Sequence, residues 1–381
     1  MSFEEFLNNK PLFYDKIDLE RMPEAYGYVE NSLGNYRIVH IVGTNGKGST
    51  GRILAELLRR EGFSVGHYTS PHILRFNERI WIDGSDISDE ALQESHEKLM
   101  GWLSKETADA LSYFEYTTLL ALVAFEKCDI VVLEAGLGGE FDATSVTKRE
   151  LSVITPIGFD HQAFLGETIE EIAGTKLRCM AKDVVISPQP YDETLQIARN
   201  IAKERGSTLY FPSKLLSETL IEEIEEYSKR KGWPFFISEN AATAFASAKI
   251  LTGKVPDPSS LESVKLKGRF ERIAPNVILD VGHNPLAARA VAAALDLKRP
   301  VLVYNAFEDK DVDEVLKILA PFVERVEIIE VENQRVMAPE RLKKAIESAG
   351  LQSGEFEGVK EEEEYLVFGS FAVAEAFLKR S

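Results

Sequence analysis

Short runs of apolar, often β-branched residues recur along the chain with amphipathic stretches between them. "RIVHIV" (37–42), "SVGHYT" (64–69), "DIVVLEA" (129–135), "LSVITPI" (151–157), "DVVIS" (183–187) and "STLYF" (207–211) read as buried strands. Between them, "TGRILAELLRR" (50–60) puts Ile53, Leu54, Leu57 and Leu58 on one helical face. The segments 87–103 and 117–126 read as helices, as does "ENAATAFASAKILTG" (239–253), which stops at Gly253 where a helix terminator belongs. Strands alternating with helices predict an α/β fold: a P-loop-type, mostly parallel sheet flanked by helices.

The pattern changes at "KVPDPSSLESVKLKGRFE" (254–271), where Pro256, Pro258 and the serines are expected to break any regular element. A second βα series follows in "NVILDVGHNP", "PVLVYNAF", "RVEIIEVE" and "EYLVFGS". The organisation expected is therefore a larger N-terminal α/β domain over 1–255, a linker over 256–266, and a smaller Rossmann-like α/β domain over 267–381. The run "KEEEE" (360–364) reads as a solvated loop.

Charge narrows the partners. Lys and Arg number 44 against 62 Asp and Glu, a net charge of -18, which argues against nucleic acid or an anionic membrane. A polyanionic ligand then needs local cations, and Lys47, Arg75, Arg79, Lys176, Arg178, Arg269 and Arg272 all lie beside the candidate motifs. The two cysteines, Cys128 and Cys179, have no metal-ligand spacing, and the N-terminus "MSFEEFLNNK" lacks the apolar core of a signal peptide. A reducing cytoplasm is the compartment expected.

Chemistry concentrates at strand ends. "HIVGTNGKGST" (40–50) departs from G-x-x-x-x-G-K-[ST], since Ile41 replaces the first glycine and Gly48 separates Lys47 from Ser49. Its physics survives: Gly43, Gly46 and Gly48 let backbone N–H groups curl around an anion, Lys47 adds charge, and a helix N-terminus points at the same place. Thr44, Asn45, Gly46, Lys47, Gly48 and Ser49 are thus the candidate phosphate cradle. Glu134 ends a strand at the sheet edge where such folds hold ligands, and suits a Mg²⁺ ion that takes hard oxygen donors. "TSPH" brings the Ser70 hydroxyl to that edge, and "ITPIGFDHQAFLG" brings Asp160 and His161, the latter as metal ligand or general base. In "LGETIEEIAGTKLRCMAK", Lys176 lies among the buried-face residues Ile169, Ile172, Ala173 and Leu177, although a helical lysine can also snorkel to water. From the second domain, Arg269 and His283 are candidate phosphate contacts, and Asp280 a candidate acceptor for a ribose hydroxyl. The nucleotide is expected between the two domains.

Together these pieces resemble the folylpolyglutamate synthase and dihydrofolate synthase family, a branch of the Mur-type ATP-dependent amide ligases. The resemblance rests on "GTNGKGST", "TSPHILRFNERI", "FEYTTLLAL", "LEAGLGGEFDATS", "GFDHQAFLGETIEEIAGTK", "GRFERI", "DVGHNP" and "FGSFAVAEAF", in family order over almost the whole chain. It implies ATP-driven addition of L-glutamate to dihydropteroate or a folate through an acyl phosphate, with two Mg²⁺ sites. Ser70 and Glu134 would hold the ATP-linked ion and His161 the second, while Lys176 matches a lysine that is carbamylated in the family. Lys47, Lys176, His161 and His283 would be the catalytic set. Asn240 resembles an adenine contact, and Arg269 and Asp280 resemble contacts to phosphate and ribose. Phe114, Glu115, Asp142 and Ala143 fall where the pterin-bearing substrate binds, with Asp18 and Pro71 near the same pocket. The resemblance also suggests a monomer. Two alternatives are a ligase of cell-wall nucleotide precursors, which would want a further domain ahead of the phosphate loop where only about 40 residues stand, and a non-catalytic, nucleotide-gated binding module.

Overall fold

The computed structural model describes residues 2–10 and 18–380. The first sheet contains β1 (Arg37–Val42), β2 (Val65–Tyr68), β3 (Ile80–Ile82), β4 (Ser85–Asp86), β5 (Ile130–Glu134), β6 (Leu151–Ile154), β7 (Asp183–Ile186) and β8 (Thr208–Tyr210), in the order β4-β3-β2-β5-β1-β6-β7-β8. From β2 to β8 every pairing is parallel, and β3 and β4 add an antiparallel margin. The second sheet contains β9 (Glu271–Ala274), β10 (Val277–Leu279), β11 (Val301–Tyr304), β12 (Val326–Ile328), β13 (Ser353–Glu355) and β14 (Tyr365–Phe368), ordered β13-β12-β11-β14-β10-β9. It is parallel except for the β9–β10 pair.

The continuous apolar runs make sense because both faces of the large sheet are covered. Successive residues of β1 point to opposite sides. Val39 and Ile41 enter one core with Ile53, Leu54 and Leu57 of the helix Lys47–Arg60 and with Ala241, Ala244 and Phe245 of the helix Phe235–Thr252. Ile38 faces the other side, among Leu119, Leu120 and Val123 of the helix Tyr113–Ala124. Val42 joins Ile154 and Ile172 in a third cluster beneath the helix Ile169–Leu177.

Register then positions the chemistry. β1 lies between β5 and β6, with Ile41 opposite Glu134 and Val42 opposite Ile154. The ends of three parallel strands therefore open on one edge: Gly43 follows β1, Glu134 ends β5, and the loop after β6 carries Asp160 and His161.

The expected helices are present with shifted ends. The segment 87–103 forms Asp89–Trp102, capped by Ser88. The segment 117–126 starts earlier, as Tyr113–Ala124, because Ser112 and Glu115 form a capping box ahead of the apolar run. Gly253 closes Phe235–Thr252 at φ 73°, a conformation that suits glycine. One expectation fails: the proline- and serine-rich stretch is not without regular structure. Asp257 caps a 3-10 helix, Pro258–Ser263, and Leu261 and Val264 are buried against Lys47–Arg60 and the helix Glu218–Arg230. Proline at the first helical position is tolerated, since its missing N–H has no partner there. No helix among the described residues is long and apolar enough to cross a membrane.

Phe245 is fully buried in the core shared by the phosphate-loop helix and its neighbour. Phe245→Ala should cost about 3–5 kcal/mol, seen as a lower urea midpoint with an unchanged slope.

Candidate active site

The glycine turn after β1 forms the floor of the site. The helix Lys47–Arg60 begins at Gly46, which has φ 81° and offers no side-chain cap, so its first N–H groups face the cavity without a protein side chain. A Cβ on Gly46 would lie 2.6 Å from Asn240 Oδ1, and one on Gly48 would lie 2.9 Å from Arg269 Nη2. The loop is thus a cradle that side chains at these positions would fill. Thr44 Oγ1 donates to the Gly158 carbonyl at 3.0 Å, and the Thr44 and Asn45 amides donate to Pro156, which anchors the turn to the segment after β6.

Lys47 Nζ donates to the carbonyls of Gly43 and Thr44, both at 3.1 Å. Lys176, on the helix Ile169–Leu177, does not snorkel. It is buried and donates to the same Gly43 carbonyl at 3.0 Å. Burial, and then the nearby Lys47 charge, push the Lys176 ammonium down to about 7. Lys176 is thereby available as a neutral amine near neutrality.

Glu134 is buried and accepts a hydrogen bond from the Thr69 hydroxyl; Thr69 immediately precedes Ser70 in the loop after β2. Asp160 and His161 follow β6. His161 has φ 54°, a backbone position that strains a non-glycine residue, and its amide is held by Asp160 Oδ1 at 2.9 Å. Asp160 is a hub between the two sheets: Lys310 Nζ lies 2.6 Å from Oδ1, while His283 Nε2 at 3.2 Å and Asn284 Nδ2 at 3.1 Å reach Oδ2. Burial alone would raise this carboxyl, but the His283 hydrogen bond and the charges of His161 and Lys310 hold it far below the usual carboxylate range. Burial keeps His161 down at about 4, so its imidazole is neutral at pH 7 and can donate a lone pair. Atoms of Asp160, His161 and His283 that could bind a metal lie within 4.8 Å of one another.

One cavity of about 190 Å³ is lined by Gly43 to Ser49, Ser70, Pro71, Glu134, Asp160, His161, Lys176, Asn240, Arg269, Asp280 and His283. Every expected nucleotide, metal and catalytic residue therefore borders one space, together with Pro71 from the expected substrate set. Beside it, a 270 Å³ space shares Asn45, Gly46 and Asn240 and is walled by Pro156, Pro188, Pro190, Phe236 and Leu286. The remaining substrate candidates do not border the 190 Å³ cavity. Asp142 is buried and occupied by its own loop, accepting from the amides of Leu137 and Thr144 and the Thr144 hydroxyl, with its carboxyl raised by burial. Ala143 follows it in a 3-10 turn. Glu115 pairs with Arg21 at 2.8 Å, Asp18 caps the amides of Glu20 and Arg21, and Phe114 stacks near Tyr68. Asp280 receives the amides of Phe270 and Gly282 at 2.8 and 2.7 Å.

Sequence reasoning missed Thr69, Lys310, Phe236 and the pairing of Asn45 with Asn284, whose amides exchange hydrogen bonds at 3.1 and 2.9 Å. Lys310 had a usable signal, since it follows the C-terminal end of β11 as the other site residues follow strands of the first sheet. Phe236 had none, because its neighbours read as ordinary helix.

Two expectations follow. Lys310 and Asp160 are both largely buried, so Lys310→Ala leaves a carboxylate without its main partner and should cost about 3–5 kcal/mol in thermal or urea unfolding. The Lys176 amine, followed by NMR of Nζ-labelled protein, should titrate with a midpoint near 7. Because the unfolded chain keeps that proton up to the ordinary lysine range, this group's contribution to stability rises with pH from about 7 to about 10.4. Lys176→Met should flatten that slope.

Residues 41–209 match the Mur ligase middle domain, and residues 268–374 match the Mur ligase glutamate ligase domain. The dihydrofolate synthase/folylpolyglutamate synthase of Haemophilus influenzae is 33% identical over 352 residues, covering 82% of this chain and 78% of that one. The crystal structure of Helicobacter pylori folylpolyglutamate synthetase superposes with a TM-score of 0.79 at 38% identity, over 99% of this chain and 97% of that one. The bifunctional folylpolyglutamate synthase/dihydrofolate synthase of Yersinia pestis, complexed with AMPPNP and a Mn ion, gives a TM-score of 0.83 at 27% identity, over 99% and 96% of the two chains. With both ligase domains matched and relatives of this likeness along its length, the chain belongs to the dihydrofolate synthase/folylpolyglutamate synthase family of Mur-type ligases.

Proposed function

We propose that the protein couples ATP cleavage to the addition of L-glutamate to dihydropteroate and to tetrahydrofolate, acting as a cytoplasmic monomer with small-molecule partners only. In this reading the ATP-binding and C-terminal domains meet across residues 256–266. The observation that carries it is the convergence of Lys47, Glu134, His161 and Lys176, from separate segments of the chain, on one cavity at the seam of the two sheets.

A carboxylate is a poor acyl electrophile. Transfer of the γ-phosphoryl group from ATP to the acceptor carboxylate gives ADP and an acyl phosphate; the glutamate α-amine then attacks the carbonyl carbon, the tetrahedral intermediate expels inorganic phosphate, and the amine proton is released. The uncapped turn at Gly46 and the Lys47 ammonium hold the phosphates, and Arg269 approaches from the opposite wall. The proline- and phenylalanine-walled space beside Asn240 suits adenine, with Asp280 on the ribose. The two lobes bring amine and acyl carbon together and keep water from the intermediate.

The donors fit a divalent cation of the magnesium type, for which oxygen ligands at about 2.0–2.1 Å are usual. Ser70 and Glu134 supply oxygen beside the loop, and His161 a neutral nitrogen. The Lys176 ammonium repels a cation, but its amine adds carbon dioxide, forming an N–C bond and releasing a proton, and the resulting carbamate is an oxygen ligand. Such ions, when bound, neutralise charge on the phosphoryl group in flight. That the Yersinia pestis relative carries AMPPNP and Mn supports this reading.

The test is phosphate release in a coupled assay. Turnover should require both L-glutamate and either dihydropteroate or tetrahydrofolate, and a cell-wall nucleotide precursor should not replace them. Lys176→Ala should lower kcat by about 100-fold or more, and removing bicarbonate should slow the wild type without slowing the variant further. Full activity in the variant would remove Lys176 from the metal site. Phosphate release indifferent to acceptor would overturn the ligase assignment.

A further inference from the structure

A second, larger cavity of about 450 Å³ adjoins the one just described, sharing Gly48, Pro71, Arg269 and Phe371 with it. It runs along the flank of the phosphate-loop helix rather than into its N-terminus, so it offers side chains instead of backbone amides. We infer that this cavity holds the γ-linked glutamyl chain already attached to the acceptor, recognising its α-carboxylates; the inference rests on the ligase reading and extends it to chain-bearing substrates.

The charges in the cavity are unevenly matched. Arg52 lies over the Trp81 ring, its guanidinium carbon 4.7 Å from the centroid, and Arg269 lies over Phe371 at 4.9 Å. Among the described residues neither has a carboxylate at ion-pairing distance, and nor does Lys265 on the same wall; in a chain of net charge -18 such cations are conspicuous. A guanidinium over an aromatic ring gives no N–H bond to that ring's edge and keeps its fork for a planar carboxylate.

The three carboxylates of the same cavity are already engaged. Glu56 binds Arg59 at 2.9 Å, Glu78 accepts the amides of Ile73 and Leu74, and Asp86 faces Lys267 at 3.4 Å. A ligand with a free ammonium, such as the incoming amino acid, finds little to receive it. Within a γ-linked chain every nitrogen is an amide and every residue presents one free α-carboxylate, which matches unpaired cations beside satisfied anions. Dihydropteroate has one carboxylate, the reacting one, and makes no use of the cavity.

His67 supplies the polar wall. It is buried, neither ring nitrogen has a hydrogen-bond partner, and it borders the cavity. Gly51 makes room for it, since a Cβ there would come within 2.5 Å of Nε2. A neutral imidazole offers one donor and one acceptor, which suits the amide links between glutamyl residues.

The experiment uses the full chain and N-acetylated tri-γ-L-glutamate, followed by titration calorimetry. The wild type should bind it, and Arg52→Gln and Lys265→Gln, each checked for native circular dichroism, should weaken binding about tenfold or more. In turnover, Arg52→Gln should raise KM for triglutamyl tetrahydrofolate at least tenfold relative to KM for dihydropteroate. Unchanged peptide affinity in both variants would overturn the inference, as would a rise in KM confined to L-glutamate. If the wild type turned over no folate yet bound the peptide through Arg52, the ligase reading would fall and the cavity assignment would stand.

Discussion

Two lysine side chains share one carbonyl, and much of the site is arranged around that fact. Gly43 leaves β1 so close to the end of β6 that a Cβ on it would lie 2.0 Å from Thr155 Oγ1. Its carbonyl receives Lys47 from the turn itself and Lys176 from a helix 133 residues further along the chain. Burial disfavours an ammonium at this point, and the second ammonium close by adds repulsion. Pushed down to about 7, Lys176 becomes a nucleophilic amine bordering the same cavity as Glu134 rather than a fixed cation.

The seam between the sheets follows a similar logic with the opposite sign. Asp160 stays ionised although buried, because His283, Asn284 and Lys310 hydrogen-bond its two oxygens. All three partners belong to the second sheet's region, so the carboxylate's stability depends on both halves being in place. Isolated buried ion pairs are weak evidence of stability, since desolvation offsets attraction; what they supply here is registration between parts. A chain with a large negative charge thus places Lys47, Lys176, Arg269 and Lys310 around one seam.

Much of this was legible in the sequence, for identifiable reasons. Continuous apolar runs mark strands covered on both faces, and β1, β2, β5, β6, β7, β10, β11 and β14 all came from such runs. The margins did not: β3, β4 and β13 have two or three residues each, too few to show a period. Glu134, Asp160, His161 and Lys176 were readable because each stands beside a strand end or interrupts an apolar helix face. Lys310 and Thr69 were not, because their importance lies in partners that are distant in sequence. The stretch 256–266 misled because prolines suggest a spacer, while Leu261 and Val264, a single i, i+3 pair too short to establish a period, are buried. Asp142 illustrates a further limit, since its residue type suggests a ligand contact and its geometry shows a carboxylate organising its own turn.

The paired amides of Asn45 and Asn284 tie the phosphate loop to the first turn of the helix Pro285–Ala294, which Asn284 also caps. One side chain thereby does two jobs: it finishes a helix in one half and grips a loop in the other. Separating the halves breaks both amide contacts together but not the cap, whose donor and acceptor lie in the same half. The joint behaves as a latch rather than as an adhesive.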